Sequence, residues 1–538
     1  MGTNTDRRSW SARQTVGFLL LIASVGLSYL SYRRQAFYIS HKMCDVFVGN
    51  MPHIVLGPGI DYVLWWLLAI ALLIVSRTLL TEPAPPPAAA APARHWRKLV
   101  FYLCFAAVLG ASAWVRLHMP NPNNYCFGDD EAWNCQYSYD LAHWRRFIEF
   151  FTYEEHSKEL LFHIVMAPFF YFVGNTYRTA VTFLAIIGIA TVLAAYNFGK
   201  HVFANPWYGI FAMAIIGAAP GFMLEGRIPL RRLMCPLAFL LVLVCIHKVF
   251  ERSWTRDFIS LGMALGFGML IYHSFRLIPT AAVLTLLALI LADRRFVARN
   301  AGKMVLCLLA ASVVFTPIFL TLQTQWGAYN GRAVGEWHNF LEQGDLSKTI
   351  PALFQHFTPL FFDLPFSYYP PVSFPLFFGG LAIALFRLRN KMNLFAVISF
   401  VLCSIPYVCS TDNFPPVPIR STLLLPLFAY FALLWINSIA RPVPRLFPLL
   451  TAFMLLLSAG DLAVGSRIFL EWRSECLEDE REASEFAVNL YREEGGYVHI
   501  VNRRWSPLIK FLAYDVPGYY DLQGPEFYRV GLTYVYPL

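Results

Sequence analysis

Apolar runs long enough to cross a lipid bilayer recur along this chain, near 15–32, 61–77, 98–117, 178–198, 206–223, 230–249, 258–274, 276–292, 303–322, 371–388, 392–409, 419–437 and 444–463. A helix rises 1.5 Å per residue, so about 20 apolar residues are needed to traverse a hydrocarbon core about 30 Å thick. Within that core each backbone N–H and C=O must be bonded inside its own segment or in a closed barrel, and runs of this length do so as helices. The chain is therefore expected to be a polytopic α-helical membrane protein of about thirteen spans. Its composition agrees, with 57% hydrophobic and 14% charged residues against about 25% charged in a soluble protein. The first run follows Arg7, Arg8 and Arg13 and has no clear small-residue cleavage site, so it reads as a retained signal anchor.

A further apolar stretch at 159–173 decides the topology. The connections after 249, 292, 388 and 437 are short and basic, carrying Lys248, Arg252 and Arg256; Arg294, Arg295, Arg299 and Lys303; Arg387, Arg389 and Lys391; and Arg441 and Arg445. The positive-inside rule puts all four in the cytoplasm. Counting back places Lys200 and His201 there too; counting forward from the N-terminus places Arg77, Arg94, Arg97 and Lys98 there. The two counts agree only if 159–173, short and interrupted by His163, lies at the outer interface as a juxtamembrane or re-entrant helix. The N-terminus is then cytoplasmic and the C-terminus extracytoplasmic. This use of Lys and Arg accounts for a net charge of +9 without a nucleic-acid partner.

Five parts follow: two N-terminal helices over 1–81, a Pro/Ala-rich cytoplasmic linker at 82–97, a helical body over 98–463 with outer loops 118–177 and 323–370, and a tail over 464–538. In the tail, 479–494 and 506–513 read as helices and 497–501 as a strand, a small extracytoplasmic α/β domain. No internal repeat is evident, which weakens an inverted-repeat transporter reading. Ten cysteines without a CxxC pair give no support to a zinc or thioredoxin-like site. Cys104, Cys235, Cys245 and Cys307 sit in apolar runs, whereas Cys126 and Cys135 flank an acidic cluster where an outer-face disulfide can form.

That cluster is Asp129-Asp130-Glu131. Adjacent carboxylates at an interface repel one another, and one could serve as a general base or the group could hold a divalent metal. A solvated acidic loop is the simpler reading of such a triplet alone. His156-Ser157-Lys158 leads into the interfacial helix, where the Lys158 ammonium could anchor the helix or bind phosphate. Arginines recur at outer ends of spans, against the positive-inside trend: Arg178, Arg227, Arg231, Arg232, Arg276 after Tyr272 and His273, and Arg420. Cations there imply either local ion pairs, with Glu225 the nearest partner for Arg227, or an anionic ligand such as a lipid-linked phosphate.

In order and sidedness these elements resemble the GT-C membrane glycosyltransferases, in the style of aminoarabinose-to-lipid A transferases and protein O-mannosyltransferases. The resemblance runs from about 98 to 463. The family's acidic pair looks like Asp130-Glu131, its Lys-Pro-Pro-Leu element like Lys158-Glu159-Leu160-Leu161, its following Arg like Arg178, its Tyr-rich motif like Tyr272 to Pro279, and its late Arg-Tyr-Leu-x-Pro element like Arg420 to Pro426. Glu159 and Leu160 replace the two prolines, Ser421 replaces the Tyr, and two extra helices precede the body. The resemblance implies a polyprenyl-phosphate sugar donor and a glycan, lipid or protein acceptor. Asp130 would be the base, assisted by Asp129 or Glu131, which could instead hold a divalent metal. Lys158, Arg178, Arg276 and Arg420 would hold the donor phosphate, and His156, Tyr272, His273 and Arg227 would bind substrate. Glu336, His338, His356 and Asp363 would lie on a loop able to cover the cavity. The setting would be a bacterial inner membrane with its chemistry on the periplasmic side. A flippase for an anionic lipid-linked saccharide and a non-catalytic assembly subunit are the competing readings.

Overall fold

The computed structural model describes residues 11–40, 60–81, 95–118, 129–142, 161–174, 176–324, 369–370, 373–408 and 422–471. They form helices α1 (Ala12–Ser40), α2 (Ile60–Leu79), α3 (His95–Leu117), α4 (Asp129–Ala142), α5 (Leu161–Val173), α6 (Tyr177–Val202), α7 (Pro206–Gly217), α8 (Pro220–Glu225), α9 (Cys235–Glu251), α10 (Thr255–Met269), α11 (Leu277–Ala292), α12 (Arg294–Thr324), α13 (Phe374–Phe386), α14 (Lys391–Val408), α15 (Leu425–Ala440) and α16 (Phe447–Glu471). Among the described residues nine helices are long and apolar enough to cross a membrane. The last runs to Glu471, beyond the 463 boundary read from hydropathy. The linker at 82–94, most of the loop 323–370 and the tail beyond 471 lie outside the described residues.

α1 and α2 pair antiparallel through serine hydroxyls that reach across to the facing backbone. Ser24 donates to Ala69 O, Ser31 to Tyr62 O and Ser76 to Gly17 O, each at 2.7 Å. The pair docks on α12 at a defect that α12 makes for itself. Pro317 has no N–H, so the Val313 carbonyl one turn earlier loses its helical donor. The Trp66 indole N–H donates to Val313 O and Val314 O at 3.2 Å, supplying the bond. Trp66→Phe keeps the apolar area and removes that donor. Thermal unfolding in detergent should register a loss of about 1 kcal/mol, within the range measured for hydrogen bonds between membrane helices.

The basic turns gather at one end of the bundle. Asp293 accepts from Lys391 Nζ at 2.8 Å, which holds the Asp293 carboxyl below its usual range and joins the α11–α12 turn to the start of α14. Lys303 Nζ donates to Ser253 O at 2.5 Å, fastening α12 to the α9–α10 turn. Between the ends the core is aromatic and close-packed, with Phe377 stacked on Phe428 at 5.3 Å. At Gly380 α13 approaches α15 so closely that a Cβ would stand 1.7 Å from Phe431 O.

α5 links the end of α10 to the start of α6. Its first amide, Leu161 N, donates to Leu270 O at 3.4 Å, at the end of α10 away from the basic turns. Gly174, at φ +100°, then turns the chain into Thr176, whose hydroxyl caps α6 by accepting from Thr179 N at 3.1 Å. α6 reaches the basic end only at Lys200 and His201. His163, which looks in sequence like an interruption, is fully buried within α5.

Candidate functional site

The face opposite the basic turns is organised by the segment from Glu225 to Met234. α8 opens on Pro220, at a first-turn position where a missing N–H costs nothing, and ends after six residues. The chain then continues as a short irregular stretch into the single 3-10 turn Arg231–Met234 and α9. Buried irregular backbone needs polar partners within the protein, and this stretch has them. Glu225, 2% exposed, accepts from Arg232 Nε at 3.1 Å and from Thr422 Oγ1 at 2.8 Å. Arg227, 3% exposed, donates through Nη2 to His118 O at 3.2 Å. Burial pushes the Arg227 guanidinium down to about 10, which leaves it cationic at neutral pH. Glu225 thus forms an ion pair with Arg232, seven residues on.

α4 is tied to the same segment. Its first turn is Asp129-Asp130-Glu131, and carboxylates at a helix N-terminus are favoured by the macrodipole. One turn further, Asn134 Nδ2 donates to Pro229 O at 2.9 Å. Another turn on, Ser138 Oγ donates to Asn134 O and lies 2.8 Å from His163 Nδ1 of α5. The Ser138 hydroxyl thus joins the α4 backbone to the His163 ring of α5. Asn134, Ser138 and His163 are all buried. Ser138→Ala leaves the buried His163 Nδ1 without this partner and should cost about 1–3 kcal/mol. Faster amide exchange confined to α4 and α5 would register it.

Two further arginines frame this end. Arg116, in the last turn of α3, is 2% exposed. Its Nη1 donates to Ser112 Oγ at 2.6 Å and to Gly217 O at 3.2 Å, and its guanidinium lies over the Phe222 ring at 5.2 Å. Gly188 makes room for it, since a Cβ there would meet Arg116 Nε at 2.8 Å. Arg276 closes the turn His273–Arg276 that opens α11, and Tyr272 lies against His273 with ring centroids 4.2 Å apart. Arg178 is exposed in the first turn of α6.

The structure therefore brings Arg227, Arg232 and the acidic turn of α4 onto one connected set of contacts, with Arg178, Tyr272, His273 and Arg276 at the same end of the bundle. The backbone of Asp129, Asp130 and Glu131 is described; their side chains are not, and His156, Lys158 and Arg420 lie outside the described residues. Cys135 is buried on α4, while Cys126, its expected partner, also lies outside them. Among the described residues no group of three or more His, Cys, Asp or Glu is placed to hold a metal. Sequence reasoning passed over Arg116, Asn134, Ser138 and Thr422 as site residues, and noted His163 only as an interruption of an apolar stretch. The available signals were an Arg closing an apolar helix and polar residues spaced four apart on α4.

No protein-family model and no curated protein matches the chain. Solved structures do. The oligosaccharyltransferase AglB of Archaeoglobus fulgidus, with an inhibitory peptide and a dolichol-phosphate, matches at a TM-score of 0.54 and 12% identity, over 78% of this chain and 64% of its own. A second structure of that enzyme, with Zn and sulfate, matches at 0.52 and 13% identity, over 76% and 61%. ArnT of Cupriavidus metallidurans, bound to undecaprenyl phosphate, matches at 0.50 and 14% identity, over 78% and 85%. The chain thus spans under two thirds of the length of the archaeal enzyme. These neighbours are GT-C glycosyltransferases, and the likeness shows that the chain shares their polytopic helical fold, with nine of its described helices long and apolar enough to cross a membrane.

Proposed function

We propose that this protein transfers a sugar, with inversion, from a polyprenyl-phosphate donor to an acceptor hydroxyl at the face opposite its basic turns. The observation that carries the reading is the tie between α4 and the arginine segment. An acidic helix start is fixed by the Asn134 bond to Pro229, two residues from Arg227 and two from Arg231. A base and an anion-binding surface held together suit displacement of a phosphate. The fold is one in which the solved neighbours carry dolichol-phosphate and undecaprenyl phosphate.

The chemistry asks little beyond positioning and charge. Asp130 would accept the acceptor's proton as its oxygen bonds to the anomeric carbon. The bond from that carbon to the phosphate oxygen breaks, and polyprenyl phosphate leaves with the electron pair. Lys158, Arg178, Arg276 and Arg420 would offset the charge of the leaving phosphate, the kind of preorganised electrostatics that supplies much of enzymatic rate enhancement. Arg227, His156, Tyr272 and His273 would contact the saccharide or acceptor, and Glu131 would share the acidic site. A divalent cation, where one takes part, would find hard oxygen donors in Asp129 and Asp130. An apolar groove of about 310 Å³ between α10, α11 and α12 suits an isoprenoid tail, and it reaches Pro279, three residues past Arg276. By the positive-inside rule the basic turns face the cytoplasm, so transfer would take place at the extracytoplasmic face of a bacterial inner membrane.

The test is a reconstituted chain given a polyprenyl-phosphate sugar radiolabelled in the saccharide, with extracytoplasmic lipid, glycan and peptide acceptors. Label on an acceptor, with stoichiometric release of polyprenyl phosphate, is the expected result. Movement of intact donor between leaflets without product would replace the reading with a flippase. Lys158→Ala should weaken donor binding by about tenfold or more, as loss of a charge-assisted bond does. Unchanged donor affinity would remove Lys158 from the phosphate site.

A further inference from the structure

The apolar groove between α10, α11 and α12 runs farther through the bundle than one lipid leaflet. It begins at Pro279, in the first turn of α11, and reaches Leu289 near the other end of that helix and Phe296 just past the Asp293 turn. Along α12 its lining residues Phe296 and Phe319 stand 23 positions apart. At 1.5 Å per residue that is about 34 Å, against a hydrocarbon core about 30 Å thick. Thr285, on the groove wall, donates its hydroxyl back to Ala281 O at 2.7 Å within α11, so it stays committed to its own helix. Val283 and Leu308, also on the wall, are exposed, so the side of the groove stands open to lipid and a chain can enter sideways.

The end at the basic turns is closed. Phe250 of α9 and Phe296 of α12 both line the groove there and meet with ring centroids 6.1 Å apart. Phe296 is buried, and Lys391 Nζ lies 3.8 Å from its ring centroid while pairing with Asp293 at 2.8 Å. A cation over an aromatic face is held by the ring quadrupole. The two rings are therefore backed by a charged pair at the basic end, where a hydrocarbon chain cannot continue. The groove is a slot with an open side and a fixed floor.

We infer that this slot gauges the length of the donor's isoprenoid chain, favouring chains long enough to cross the whole hydrocarbon core, with Phe250 and Phe296 as the stop. The inference rests on the polyprenyl-phosphate reading and adds which lipids of that class fit. A phospholipid acyl chain covers one leaflet, about 15 Å, and leaves the half of the slot nearer the basic turns without a partner. Walls without a partner forfeit their dispersion contacts. A polyprenyl chain whose phosphate lies by Arg276 and whose far end reaches Phe296 makes those contacts along the full length. Each isoprene unit up to the floor buries more apolar surface. Units beyond it turn out into the bilayer, where they add nothing over the free lipid.

The test is native mass spectrometry of the full chain in detergent, titrated with unglycosylated polyprenyl monophosphates of graded length, a readout that needs no transfer. Wild-type affinity should climb with length and level off once the chain spans the core. Core-spanning chains should bind about tenfold or more above chains that end within one leaflet. Phe296→Ala removes a ring about the size of one isoprene unit and should move the levelling-off to a chain about one unit longer. Met304→Phe, two turns along the α12 wall from Phe296, should bring it to a shorter chain and leave the affinity for leaflet-length chains unchanged. If Phe296→Ala fails to fold, Phe250→Ala opens the same floor from α9. Binding independent of length, or a levelling-off that neither the floor variant nor Met304→Phe moves, would overturn the gauge and leave the donor reading standing. Displacement of the core-spanning chain by an equal concentration of phosphatidylglycerol would assign the slot to bulk lipid and overturn the gauge as well. No binding at any length would remove the polyprenyl-phosphate donor itself, and the gauge with it.

Discussion

An Asp130→Asn variant should fold, insert and bind donor like the wild type, yet transfer sugar about 10²- to 10⁴-fold more slowly, the usual contribution of a general base. The substitution keeps size and removes the proton-accepting charge. It sits in the first turn of a helix whose docking comes from Asn134 and Ser138, one and two turns away, so the bonds that fix α4 survive it. Asp129→Asn and Glu131→Gln should cost less, since neighbours in a helical turn point in different directions and only one carboxylate can face the acceptor. The measurement is turnover at saturating donor and acceptor, beside donor affinity and the unfolding midpoint. Turnover matching wild type in the Asn variant would exclude Asp130 as the base. A loss shared equally by all three variants would point to a collective role, such as holding a cation.

Much of this arrangement was legible in sequence because the bilayer simplifies the problem. A span must be apolar over a fixed length, and short basic turns record which side they face. The demotion of 159–173 rested on that parity; in the structure the segment forms the 13-residue helix α5, which starts beside Leu270 and turns at Gly174 into α6. The arginines at the far ends of spans stood out because they break the same rule. What could not be read were the ties between segments distant in sequence. Asn134 meets a carbonyl 95 residues away, and Thr422 meets Glu225 across 197. Neither residue type is unusual, and side-chain hydrogen bonds to remote partners have no periodicity. His163 was misread for a related reason. A histidine in an apolar stretch looks like a break until Ser138, on another helix, is seen to satisfy it. Arg116 was hidden by resemblance to a routine interfacial cation, although its guanidinium turns inward onto Gly217 and Phe222.

Removing Glu225 should be the most damaging single change to stability among these polar ties. Its carboxylate is 2% exposed and serves both Arg232 and Thr422. Breaking a buried ion pair by deleting one partner costs about 3–5 kcal/mol, because the other charge stays behind uncompensated. The Arg232 side chain keeps 15% exposure, which lets water recover part of that charge and places Glu225→Ala toward the lower end. Glu225→Gln retains an acceptor for Thr422 and should lose less. Replacing both members, as in E225L/R232M, should recover stability relative to Glu225→Ala, since no buried charge is then stranded. The double variant also separates the two jobs of the segment. With the fold restored, any remaining loss of donor affinity belongs to Arg232 or to the strand of chain that Glu225 holds through Thr422. Unfolding of all four proteins in one detergent measures the order, and a Glu225→Ala midpoint equal to wild type would show that the pair contributes nothing net.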